Sequence, residues 1–373
     1  MREWMQTSFA IAAAVLITSQ TLAVTEPDKT ICGVENVEDM VDLPESPWII
    51  GSGMGDRFFQ HGGLHLINKK LMTARRISVD MSGELIAQAP YDQCPGPVPA
   101  THFSAHGLSL TVNPDATHNL YVVNHGARES IEIFKVTTTD SEPAFKWIGC
   151  VLTPKTATSN SVAARPDGSL VLSATAAGDV PIPSFHELAL RASAGRGENR
   201  GGLDVKAVAK QRGAVYVWTR ARGWEKVPNS ELLGDNGIEL SRDGQWAFVN
   251  SWPGKSVTYM PLNTSSGKSR EVKLDFNPDN IRWSQDGKLV VTGHVATIEQ
   301  VMDCGFGDGA DCAIDYRSAE IDPTTLHVSP LFDGKGTRQF GAATIGLKTG
   351  GMLWLGSFRS SCIAKVRLSD TTR

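Results

Sequence analysis

The chain is predicted to be all-β, a six-bladed β-propeller with a central metal-binding channel. Three observations predict it: a turn-dense composition, a repeated strand-turn-strand unit, and one polar position held in register through the copies. With 41% hydrophobic and 20% charged residues, 36 glycines and 19 prolines in 373 residues, the composition is that of a folded, turn-rich chain. It does not suit a disordered or helical-array protein. A formal net charge of −4 gives no general attraction for nucleic acid, and the pairs Lys69-Lys70 and Arg75-Arg76 read as solvated surface.

Residues 1–23 read as a signal peptide. Phe9 to Thr18 is apolar but shorter than the about 20 residues a bilayer requires, and Thr21-Leu22-Ala23 offers a small-residue cleavage site. Glu3 offsets Arg2, so the alternative is an uncleaved segment held at a membrane surface, the only membrane association expected. Residues 24–373 are expected to form a single exported domain, periplasmic or secreted.

The repeat is clearest in three copies. Asn160-Ser-Val-Ala-Ala-Arg-Pro-Asp-Gly-Ser-Leu-Val-Leu aligns with Asn236-Gly-Ile-Glu-Leu-Ser-Arg-Asp-Gly-Gln-Trp-Ala-Phe and with Asn280-Ile-Arg-Trp-Ser-Gln-Asp-Gly-Lys-Leu-Val-Val. Each Asp-Gly marks a hairpin turn. Looser copies begin at Glu38 before Trp48-Ile-Ile, at His106 before Leu120-Tyr-Val-Val, and at Thr344 before Leu353-Trp-Leu. The units start between 44 residues apart (Asn236 to Asn280) and 76 (Asn160 to Asn236), enough for a four-stranded blade and variable loops.

In a propeller the leading residue of each innermost strand sits at one channel mouth. Here those residues are Glu38, His106, Asn160, Asn236, Asn280 and Thr344, with Asp279 beside Asn280. Any one of them taken alone reads as a turn former. Turn chemistry does not demand one register in six units, so the set reads as a ring of ligands. Glu38, Asn160, Asn236, Asp279 and Asn280 offer carboxylate and amide oxygens, a hard donor set that suits calcium. Side chains alternate along a strand, so Asp279 and Asn280 reach one ion only if the chain bends, which Pro278 permits; Asp39 should point away from Glu38.

His106 leads its blade and His125 follows the strand Tyr121-Val-Val-Asn, so the two imidazoles are expected to meet. A histidine beside a polarised carbonyl is a suitable general base. His61, His65 and His186 read as structural. There is no G-x-S-x-G elbow, His186-Glu187 does not extend to H-E-x-x-H, and the fragments Gly51-x-Gly-x-Gly and Gly305-x-Gly-x-Gly lack the strand-to-helix context of a dinucleotide site. Residues 181–212 form an insertion, helical around Phe185 to Ala192, expected to overhang the channel mouth.

Six cysteines without a C-x-x-C pair fit disulfides in an oxidising compartment. Cys32 and Cys362 lie near the two ends that a propeller must bring together, and are expected to pair. A bridge between Cys304 and Cys312 would close a tight loop, and Cys94 and Cys150 are left for each other.

These motifs resemble the paraoxonase (arylesterase/lactonase) family, with a more distant likeness to gluconolactonases and senescence marker proteins. The likeness spans Cys32 to Cys362. It rests on Val37-Glu-Asp-Met, His106-Gly-Leu-Ser, Tyr121-Val-Val-Asn-His followed by Ser130-Ile-Glu-Ile-Phe, Asp235-Asn-Gly-Ile and Leu274-Asp-Phe-Asn-Pro-Asp-Asn-Ile. The resemblance implies a calcium-dependent hydrolase of small-molecule lactones or aryl esters. In it, Glu38, Asn160, Asn236, Asp279 and Asn280 hold a catalytic calcium, His106 or Asp279 activates water, His125 orients His106, and His294 contacts substrate. It also implies a closing disulfide between Cys32 and Cys362. A second, structural calcium would take Asp39 and the Leu108 carbonyl, but the family's aspartate after the position of Asn160 is Ser161 here, a neutral hydroxyl that weakens the site. Two other readings fit the same residues: an exported binding module stapled by calcium without turnover, and a propeller enzyme with another reaction.

Overall fold

Six four-stranded antiparallel sheets follow one another along the chain, five of them formed by four consecutive strands. The computed structural model describes residues 22–55, 61–77, 79, 81, 87–138, 142–187, 205–263, 267–306 and 312–368. The innermost strands are Val37–Asp42, Ala105–Val112, Ala157–Ala164, Asp235–Leu240, Asn277–Trp283 and Ala343–Thr349. Each packs against the next, and the sixth packs against the first, which closes a six-bladed propeller.

Closure uses both ends of the chain. Lys29–Cys32 pairs antiparallel with Cys362–Arg367 and becomes the outermost strand of the sixth blade. Cys32 and Cys362 are register partners in that pair and are joined by a disulfide, Cα to Cα 3.9 Å. Cys94–Cys150 and Cys304–Cys312 also pair, as their spacing and elimination led one to expect. Three disulfides suit an oxidising compartment. No helix among the described residues is long and apolar enough to cross a membrane. Residues 1–21 of the expected signal segment lie outside the described residues.

The hydrophobic effect acts between blades, because each sheet buries both faces against its neighbours. Leu108, Leu120, Val122 and Phe134 of the second blade meet Ile50, Leu64 and Leu66 of the first, and comparable clusters fill the other inter-blade spaces. The three Asp-Gly turns share one design. Gly168, Gly244 and Gly287 take φ of +83°, +68° and +79°, which favours glycine. Asp167 accepts from the Ser169 amide at 2.9 Å, and Asp243 from the Gln245 amide at 3.1 Å. Among the basic pairs, Arg75 bonds Glu142 on the surface, as expected, whereas Lys69 is half-buried against Asp42.

Candidate functional site

Every innermost strand breaks register at the same place. The irregularities fall between Val37 and Met40, Ala105 and Leu108, Ser159 and Ser161, Asp235 and Ile238, Pro278 and Ile281, and Ala343 and Ile345. A bulge leaves its extra residue out of the ladder and re-aims the side chain. Glu38, His106, Asn160, Asn236, Asp279 with Asn280, and Thr344 all lie in these bulges. Strict alternation would send Asp279 and Asn280 to opposite faces, and the bulge removes that constraint. Two glycines permit the close approach of neighbouring blades here: a Cβ on Gly107 would lie 2.6 Å from the Ser161 Cα, and one on Gly237 would lie 2.5 Å from the Asp279 carbonyl oxygen.

The five predicted ligands are no more than 8% exposed. Asn280 Nδ2 donates to Glu38 Oε1 at 2.5 Å and to the Glu38 carbonyl at 3.2 Å; Thr344 donates to that carbonyl at 2.6 Å. The fifth and sixth blades thus hold Glu38 of the first. Four oxygens of these five residues are buried without any donor: Glu38 Oε2, Asn160 Oδ1, Asn236 Oδ1 and Asn280 Oδ1. They come from four blades, and all are acceptors. Leaving a buried acceptor unpaired costs about 1–3 kcal/mol, and a cation is one group that could satisfy all four. Burial, reinforced by the charges of Glu38 and Asp39, pushes the Asp279 carboxyl well above the ordinary carboxylate range. A divalent ion would relieve that repulsion. No group of three or more His, Cys, Asp and Glu side chains is arranged to hold a metal among the described residues. The donor set therefore draws on asparagine, which suits a hard ion such as calcium.

The two imidazoles meet as expected, and a third residue extends them. His106 Nδ1 lies 2.7 Å from His125 Nε2, and His125 Nδ1 lies 2.8 Å from Glu129 Oε2. A carboxylate only accepts, so it places the His125 proton on Nδ1; the Nε2 lone pair of His125 then accepts from Nδ1–H of His106. Burial holds the His125 pKa below its ordinary value, keeping that ring neutral. His106 is left with a lone pair on Nε2, 3.5 Å from Glu38 Oε1. The Phe185 ring packs on both imidazoles, with centroids 4.5 Å from His125 and 5.6 Å from His106, and its amide donates to Glu129 Oε1 at 3.2 Å.

The second strand of each blade supplies the wall. The partners of the residues that precede the bulges are Gly53, Asn124, Ala174, Ser251, Gly293 and Ser357. One residue further along stand Met54, His125, Thr175, Trp252, His294 and Phe358. Five of these six line one cavity with Glu38, His106, Asn160, Asn236 and Asp279, and it encloses about 1060 Å³ of empty space including its open mouth. His294 is at this wall, as expected. Trp252 Nε1 donates to His294 Nδ1 at 3.0 Å, and burial lowers the His294 pKa to about 4. The neutral ring therefore carries its proton on Nε2. The helix Ile298–Phe306, held by Cys304–Cys312, contributes Val301 and Met302. From the insertion, Phe185, Val208 and Gln211 reach the cavity. Helix is present at residues 185–187; the remainder of the stretch expected to be helical, residues 188–192, lies outside the described residues. His65 is buried in the third strand of the first blade and not in the cavity, which agrees with a structural role.

Asp39 and the Leu108 carbonyl, expected to serve a second ion, are brought together, but on a protein cation. Arg282 Nη2 bonds Asp39 Oδ2 and donates to the Leu108 carbonyl at 2.7 Å. Burial raises the Asp39 pKa, Arg282 lowers it and Glu38 raises it, with the balance at about 7. The three groups found on its oxygens, Arg282 and the amides of Met40 and Leu108, are all donors. That is the environment of a carboxylate, and we take Asp39 as ionised.

Neither a family model nor a curated protein matches the chain. Similar solved structures include a luciferin-regenerating enzyme, 14% identical over 91% of this chain and 88% of that one, TM-score 0.49. A gluconolactonase from Xanthomonas campestris is 13% identical over 92% and 91%, TM-score 0.47. A streptogramin B lyase is 10% identical over 91% and 97%, TM-score 0.47. Likeness this low transfers no chemistry to the chain.

Proposed function

We propose that the chain is a calcium-dependent hydrolase of lactones and aryl esters. The reading is carried by one observation: four donorless carboxylate and amide oxygens meet, at one channel mouth, an imidazole whose Nε2 is set as a base. The motif resemblance to the paraoxonases supports the same reading. Glu38, Asn160, Asn236, Asp279 and Asn280 would hold the ion, the two carboxylates balancing its charge. Bound calcium supplies Lewis-acid polarisation of the ester carbonyl and charge for its developing oxyanion.

The remaining steps belong to side chains. His106 Nε2 removes a proton from water as its oxygen attacks the carbonyl carbon, and returns that proton to the departing alkoxide or phenoxide as the acyl C–O bond breaks. The products are a hydroxy acid from a lactone, or an acid and a phenol from an ester. His125 accepts from His106 Nδ1–H throughout, and Glu129 offsets the positive charge. Phe185 keeps bulk water off the imidazole pair. Met54, Trp252, Met302 and Phe358 give the cavity an apolar wall, which favours hydrophobic rings over charged substrates.

Turnover of γ- and δ-lactones and phenyl esters, before and after EDTA, tests the reading. Glu129 has its own test as a positioning residue. Glu129→Ala is expected to lower kcat by about 10–100-fold with KM little changed. Glu129→Gln keeps an acceptor for Nδ1–H and should retain more of the rate. A rise in KM at unchanged kcat would instead give Glu129 a substrate-binding role.

A further inference from the structure

The second calcium implied by the family resemblance does not fit this chain, because its place is taken. Arg282 follows Asn280 by two residues in the fifth blade's innermost strand, and its side chain is only 6% exposed. Besides Asp39 and the Leu108 carbonyl, Nε donates to the Met40 carbonyl at 3.2 Å and Nη1 to the Ile281 carbonyl at 2.9 Å. Nη1 also lies 3.5 Å from Glu239 Oε1. One guanidinium thus ties the first, second, fourth and fifth blades at the axis.

The acids point the same way: the Arg282 guanidinium already lies against both Asp39 and Glu239. The remaining expected contributor, Ser161, offers a buried hydroxyl without a partner, and no charge.

We propose that Arg282 is a built-in replacement for a second calcium ion, so that the ring is clasped by the chain itself and calcium is left to the catalytic mouth. The guanidinium presents five donors in a plane, enough to saturate one carboxylate and several carbonyls at once. A lysine would not, and the position from which the family's second acidic ligand would come is Ser161 here.

The test counts calcium per chain by elemental analysis and follows melting in EDTA and in calcium. It compares the wild type, Arg282→Ser, and Arg282→Ser combined with Ser161→Asp. We expect one calcium in the wild type. Arg282→Ser should melt roughly 5–10 °C lower in EDTA, since Asp39 is left buried and unpaired. The double variant should hold two ions and approach wild-type melting only with calcium present. Two ions in the wild type, unchanged melting of Arg282→Ser, or no added ion in the double variant would each overturn the proposal. If Arg282→Ser alone does not fold, the wild-type count and the double variant produced in calcium decide it. A wild-type count of zero contradicts the lactonase reading instead, and the Arg282→Ser melt still decides this one.

Discussion

Glu38→Gln is expected to lower kcat/KM for a δ-lactone by at least about 10³-fold, because a Lewis acid takes several kcal/mol off the barrier and each 1.36 kcal/mol is tenfold. Glutamine keeps the shape and an acceptor for Asn280 Nδ2, but removes one of the two carboxylates that balance a divalent ion. The effect on stability should have the opposite sign without calcium. The Glu38 charge raises both Asp279 and Asp39, which means that it repels them in the buried channel. Relieving that repulsion leaves the variant at least as stable as the wild type in EDTA. Calcium should raise the melting temperature of the wild type and not of the variant. Calorimetric melting with and without calcium, run beside the lactone assay, reads both effects. A variant that retains full activity, or one that melts far below the wild type in EDTA, would place Glu38 in a structural role.

His106→Asn is expected to lower kcat by about 10²–10⁴-fold, the range of general-base catalysis, while leaving calcium binding intact. The separation follows from the geometry. His106 bonds His125 on one side and approaches Glu38 at 3.5 Å on the other, whereas the four donorless oxygens belong to other side chains. Isothermal titration with calcium and a lactone assay check the two halves. Loss of calcium binding together with activity would instead make His106 a ligand.

Most of the ring was legible in the sequence because repetition carries register. Asn160 and Asn236 stand seven residues before the aspartate of an Asp-Gly turn, as does Asp279 beside Asn280, and that common distance places the three positions at one height in the channel. The closing strand was legible for a related reason: Cys32 and Cys362 have no reason to pair unless the ends meet. What alternation could not show is the bulge. It leads one to expect Asp279 and Asn280 on opposite faces, yet both lie in the irregularity between Pro278 and Ile281. Glu129 was missed because its reach to His125 depends on a loop conformation that no periodicity reports. Arg282 did leave a trace. It follows Asn280 at the strand period of two, and so points into the channel one layer deeper. Its partners Asp39 and Leu108 lie in other blades, a proximity only ring closure creates. The wall residues Met54, Thr175, Trp252 and Phe358 differ in chemistry, so their shared register with His125 and His294 gave no repeat to find.

Calcium-dependent turnover is the most direct test of the account. Protein stripped with EDTA and dialysed is assayed with a δ-lactone, first alone and then as calcium is added back. We predict no hydrolysis above background until calcium is restored, and recovery that saturates at one ion per chain. Hydrolysis that continues unchanged in the stripped protein would contradict it.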